Sequence, residues 1–227
     1  MSIVATKELF MTDILLPQRF LFRFAAPCRF KATPWTDRGI LLASSFRLPP
    51  LVELEGRSHF ADVRAAWNEK GLAFVLIVEP KQRKPWCRHE QPDDSDGLHL
   101  WIDTRDVHNV HRATRFCHQV YFLPAGGGAK HDQPLAGSVP IHRAQANAQP
   151  VPSEMLKLRA TIHDSGYRLN AFIAAEALTG FDPDEHPRLG FQYAVKDREL
   201  GTQTFAAAAS LPYNEDPSLW ATLDLKK

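Results

Sequence analysis

With 227 residues, 44% hydrophobic and 23% charged, the chain has a globular composition and enough length to bury one large core. Lys+Arg 27 against Asp+Glu 26 gives a formal net charge of +1, so no bulk field attracts nucleic acid or an anionic membrane. Three cysteines without C-x-x-C spacing exclude a complete internal disulfide framework, and no run approaches the roughly 20 apolar residues of a membrane span.

The N-terminal stretch carries acidic residues and Pro17 where a signal peptide needs an unbroken apolar region, so a cytoplasmic location is expected. Residues 1–58 read as an extension contributing one or two strands to a sandwich formed by residues 59–227. Phe20, Phe22 and Phe24 alternate with Arg19, Leu21 and Arg23 as in an outer strand, and Pro49 and Pro50 break the next apolar run. Val63, Ala65 and Trp67 then alternate, Asn68 to Gly71 makes a turn, and 72–79 is apolar on both faces, as in a central strand. A polar, proline-bearing loop leads to strands at 96–103 and 118–124. Residues 125–154, rich in Gly, Ala, Pro and Gln, read as one long loop. Strands follow at 156–163 and 167–174, about two helical turns closed by Gly180, and strands at 189–197 and 219–225. The expected fold is an all-β antiparallel sandwich of immunoglobulin-like or jelly-roll type with one short helix.

Chemical motifs are sparse. There is no G-x-S-x-G elbow, P-loop or G-x-G-x-x-G, and the paired carboxylates fall in polar turns, so no catalytic residue is predicted. Asp93, Asp94, Ser95 and Asp96 offer oxygens that suit calcium, and equally form an Asx-type turn entering the next strand. His89, His99, His108, His111 and His118 crowd one window, and His108 and His111 have a metal-compatible spacing without the H-E-x-x-H signature. The ion-ligand candidates are therefore Asp94 and Asp96, which suit calcium, and His108 and His111, which suit a transition metal; solvated loop histidines are the default.

The order of elements resembles family 9 carbohydrate-binding modules and DOMON-like sandwiches. The resemblance rests on Trp67 with Asn68 to Gly71, the apolar strand after it, Trp86, and the aspartate-bounded strand Asp96 to Asp103. It continues through Gly166 to Leu178, Leu189 to Asp197 and Pro217 to Leu225. His99 and Asn170 stand where the family usually has Glu. The resemblance implies a non-catalytic module for a carbohydrate or related polar ligand; because some DOMON relatives carry haem, it also raises His/His ligation.

Sugar recognition needs aromatic faces bordered by planar polar groups. Trp86, Arg88, His99, Trp101 and Arg105 supply that chemistry and are the predicted ligand residues, while Trp35, Trp67 and Trp220 are assigned to packing. Leu98, Leu100 and Ile102 alternate with His99, Trp101 and Asp103, so a strand burying the first set leaves the second to line a ligand surface or to meet a second layer of packing. A protein-interaction module using the same surface and the 125–154 segment is the alternative.

Overall fold

The computed structural model describes residues 18–227, which form strands joined by loops and short 3-10 turns. In chain order the strands are β1 (Ala25–Phe30), β2 (Ala61–Asn68), β3 (Gly71–Val78), β4 (Gly97–Asp103), β5 (Cys117–Gly127) and β6 (Gln133–Val139). They continue with β7 (Leu156–His163), β8 (Gly166–Ala174), β9 (Arg188–Asp197), β10 (Gly201–Thr204) and β11 (Ala221–Lys226). All belong to one sheet, ordered β6-β5-β4-β9-β11-β1-β2-β3-β8-β7, with β10 added to β9.

The sheet curls until it is nearly closed. Phe74 of β3 stacks on Phe191 of β9 with ring centroids 5.9 Å apart, although β11, β1 and β2 lie between those strands in the sheet. Inside the curl, alternate residues of β2, β3, β4, β8 and β9 form one apolar core. Near-closure also shortens the exposed edge, which otherwise invites pairing with another chain. Gly97 opens β4 at φ +149°, and a Cβ there would sit 2.4 Å from the Phe122 carbonyl oxygen, so glycine lets β4 lie close against β5. No helix among the described residues is long and apolar enough to cross a membrane.

Four expectations are corrected. Residues 18–21 form a 3-10 turn, not an outer strand, because Arg19 turns inward: its guanidinium pairs with Glu55 and donates to the Thr204 and Phe205 carbonyls. The sheet is not uniformly antiparallel, since β1 runs parallel to both β11 and β2; the long 31–60 connection supplies the crossover that parallel neighbours need. The 125–154 segment is not one loop. It extends β5 to Gly127 and contains β6, whose Gly-, Ala- and Pro-containing sequence shows little alternation yet pairs with β5. The short helix is only a 3-10 turn at Ala175–Ala177, because Thr179 N–H, which a continuing α-helix would give to the Ala175 carbonyl, donates to His118 Nε2 instead.

Candidate functional site

Strand β4 is buried on both faces. Leu98, Leu100 and Ile102 point into the main core, and His99, Trp101 and Asp103 on the other face are 0%, 1% and 3% exposed. Register places Trp101 opposite Gln119 of β5 and Gln192 of β9, and extends the same face to Lys196. A second layer covers this surface, and Ala113, Ile141, Ala207, Tyr213 and Trp220 gather with Trp101. Gln192 clamps that layer: its amide donates to Ala207 O, and its carbonyl accepts from Ala206 N–H and Ala207 N–H. His99 and Trp101 therefore do not present themselves at the open surface; they lie beneath packed loops.

The three outer-face side chains of β4 have different roles. Asp103 accepts from the Arg105 and Val107 backbone N–H groups, so its carboxylate caps the turn that ends the strand. His99 Nε2 meets the Ser95 carbonyl at 3.1 Å, and burial, helped by the charge of Lys196, pushes its pKa down to about 3. It is neutral at physiological pH. Trp101 packs edge-on to Tyr213 at 5.1 Å, and its buried Nε1–H has no hydrogen-bond partner. An orphaned buried donor costs about 1–3 kcal/mol, so stability alone gives no reason to place an indole N–H here.

Trp101 lines a cavity of about 290 Å³. Trp101, Gln119 and Tyr213 form its buried floor; Asp93, Pro140, His142, Ala209 and Asn214 are exposed at its rim, with Lys196 half-buried between. The polar groups are already oriented. Gln119 donates its amide to Asp93 Oδ1 at 2.8 Å, leaving the Gln119 carbonyl as an acceptor, and Lys196 donates to the Asp93 carbonyl. Burial lowers the Lys196 pKa, and burial with the charge of Asp93 pushes the Tyr213 phenol up to about 12, so Tyr213 keeps its proton. One wall thus offers a carboxylate, an ammonium, amides and a phenol around aromatic carbon, which suits an uncharged ligand rich in hydroxyl groups.

Asp93 belongs to the loop that also carries Trp86 and Arg88, and a buried ammonium holds this loop in place. Lys81 Nζ lies 2.8 Å from Asp197 and 3.4 Å from Asp96. Burial opposes its charge, yet the hydrogen bond to Asp197 and the charges of Asp197 and Asp96 keep its pKa above the ordinary lysine value. Asp96 in turn accepts from Trp86 N–H and Arg198 N–H, and burial raises its own pKa. Trp86 is half-buried, with the Arg88 and Arg198 guanidiniums 4.4 Å and 3.8 Å from its ring centre.

The predicted ligand residues therefore do not converge. Only Trp101 lines the cavity; Trp86 and Arg88 sit on the supporting loop, His99 lies beneath it, and Arg105 bonds to the Thr104 and Gly180 carbonyls beside Phe116. The ion candidates are separate as well. Asp96 is held by Lys81, His108 pairs with Asp106, and His111 pairs with Asp216. Among the described residues, no three His, Cys, Asp or Glu side chains could hold a metal ion together. Sequence reading missed Gln119, Lys196 and Tyr213. The visible signal was in the strands: Gln119 shares the Trp101 face, and Gln192 and Lys196 interrupt an otherwise apolar β9.

No protein-family model matches the sequence, and no curated protein matches it. Solved structures do. A family 9 carbohydrate-binding module from Caldicellulosiruptor kristjanssonii, in complex with cellotriose, aligns at TM-score 0.59 and 12% identity over 89% of this chain and 94% of the module. Its glucose complex aligns at the same score and identity over 89% and 96%. A candidate carbohydrate-binding protein from Bacteroides uniformis aligns at TM-score 0.52 and 10% identity, covering 90% of this chain and 100% of that one. The chain has the fold of the family 9 modules, as the resemblance implied; the DOMON half of that resemblance is not addressed by these structures.

Proposed function

We propose, from this shared fold, that the chain is a non-catalytic carbohydrate-binding protein that seats a sugar in the cavity over Trp101. The curled sheet then acts as a flattened sandwich whose outer β4-β5-β9 face holds the ligand. The observation that carries the reading is the cavity itself: an exposed rim, a buried aromatic floor, and Asp93, Gln119, Lys196 and Tyr213 directed around it. At about 290 Å³ it sits at the small end of ligand pockets, which span about 300–1,000 Å³, so it accepts one sugar ring and not a long chain segment. The charges of Asp93 and Lys196 offset each other, which favours a neutral sugar.

In this reading Trp101 contacts the ligand, Trp86 and Arg88 support the rim through their loop, and His99 acts from beneath. This reading does not call on calcium. Tryptophan fluorescence titrated with soluble oligosaccharides, with and without calcium, tests all of this. A saturable change that is independent of calcium and weakened by Asp93→Ala is expected; a flat response to every sugar removes the reading.

A second reading has one observation in its favour. Phe20, Leu21 and Phe22 are 46%, 70% and 64% exposed and consecutive, an apolar patch that suits a protein partner. Light scattering showing a constitutive oligomer that Leu21→Glu dissociates would support it, and a strict monomer would not.

A further inference from the structure

Three tryptophans are almost completely buried, and they differ in one respect. Trp67 Nε1–H donates to the Lys226 carbonyl, and Trp220 Nε1–H donates to the Tyr213 carbonyl. Trp101 Nε1–H has no partner, and Trp101 is the one of the three that lines the polar cavity over β4. Buried indole N–H groups are ordinarily paired, so an orphan in a side chain that lines a cavity points to an acceptor from outside the chain.

None of the polar neighbours on the same face pairs with the Trp101 N–H. Gln192, directly across on β9, uses both ends of its amide on the Ala206–Ala207 backbone. Gln119, directly across on β5, donates an amide N–H to Asp93, and its carbonyl makes no bond to the indole. Tyr213 meets the indole through its ring, edge to face. The chain thus leaves the Trp101 donor free while supplying bonds to its neighbours.

We propose that Trp101 is a specificity-determining donor: its Nε1–H bonds to an oxygen of the sugar that enters this cavity, and the indole is not a stacking platform. This inference rests on the carbohydrate reading. It goes further by assigning the deepest contact to a hydrogen bond, so the favoured ligand presents an acceptor oxygen on its leading edge. Sugars lacking that oxygen bind more weakly because they leave the donor as unpaired as it is in the free protein.

The test uses the whole chain, ¹⁵N-labelled, with indole and backbone resonances assigned by triple-resonance methods and titrated with glucose and with cellotriose. The expected result is a shift of the Trp101 indole cross-peak together with the Gln119 and Lys196 amides, while the Trp67 and Trp220 indoles stay fixed. Trp101→Phe keeps an aromatic ring but lacks the donor, and it should weaken binding about tenfold, equivalent to about 1.4 kcal/mol. If the Gln119 and Lys196 amides shift but the Trp101 indole does not, the sugar binds there and the donor assignment fails. Spectra that no sugar moves at any residue overturn the carbohydrate reading and the assignment with it. The wild-type titration does not depend on the variant folding.

Discussion

The two faces of β4 are equally dry and chemically opposite. Leu98, Leu100 and Ile102 meet aliphatic and aromatic neighbours inside the curl, where shape alone decides the contacts. His99, Trp101 and Asp103 meet amides, an ammonium, a phenol and a cavity. The inner face stabilises the fold. The outer face includes an unpaired Trp101 Nε1–H and an unpaired His99 Nδ1, both costly to bury. Burial by itself therefore does not distinguish the two faces of β4; the unpaired polar groups of this strand all lie on the outer one.

The largest expected effect tests what holds the outer layer in place. Lys81→Met leaves Asp96 and Asp197 buried beside each other without a counter-charge, and should cost about 3–5 kcal/mol in urea unfolding. Hydrogen exchange should show the 80–96 loop opening first. Leu100→Ala, on the inner face, should cost about 2–5 kcal/mol by cavity formation, with no preference for that loop.

A third prediction concerns pH. His99 and His118 have pKa values of about 3 and about 4, set mainly by burial, below the 6.5 of an unfolded imidazole. Above pH 6.5 both histidines are neutral in both states and their full contribution is present. As pH falls below 6.5, the unfolded chain takes up protons that the folded chain refuses. Stability should then fall by up to about 1.4 kcal/mol per pH unit for each histidine. Asp96 and Asp103, whose pKa values are raised by burial, act with the opposite sign in the carboxylate range, so the clean window is pH 6.5 to about 5. Thermal melts of wild type and His118→Gln across that window check the slope, which should be shallower in the variant. The smallest expected effect is the most discriminating: Trp101→Phe removes an orphaned donor and should change stability by no more than about 1 kcal/mol, while weakening any ligand of the cavity.

Alternation and short apolar runs made much of this structure legible in the sequence. The strand at 156–163 was read at its observed bounds because a period of two with one half-buried face leaves little choice of register, and β3, β8 and β9 were read within a residue or so as short apolar runs bounded by turn residues. Strand β6 was illegible because Pro134, Ala136 and Gly137 carry little alternation, and β10 because four residues, Gly201 to Thr204, give no period at all. Residues 19–25 misled for the reverse reason. Their alternation is genuine, but a buried ion pair between Arg19 and Glu55 outweighs it.

The site was legible only in part. The polar face of β4 could be read directly, and with it Trp101, which lines the cavity. Its partners could not, since Asp93, Gln119, Lys196 and Tyr213 are brought together by strand order and by the 205–220 loop, neither of which is local in sequence. Trp86, a loop tryptophan in a charged stretch, looked like an open platform; instead two guanidiniums lie against its ring.

The most direct measurement is a calorimetric titration of glucose into wild type and into an Asp93→Ala, Lys196→Met double variant that removes both rim charges at once. Saturable, salt-insensitive binding to wild type and at least tenfold weaker binding to the folded double variant is the expected result. Equal binding by the two proteins would place the sugar elsewhere, and no binding to wild type by glucose or cellotriose would contradict the carbohydrate role of the cavity.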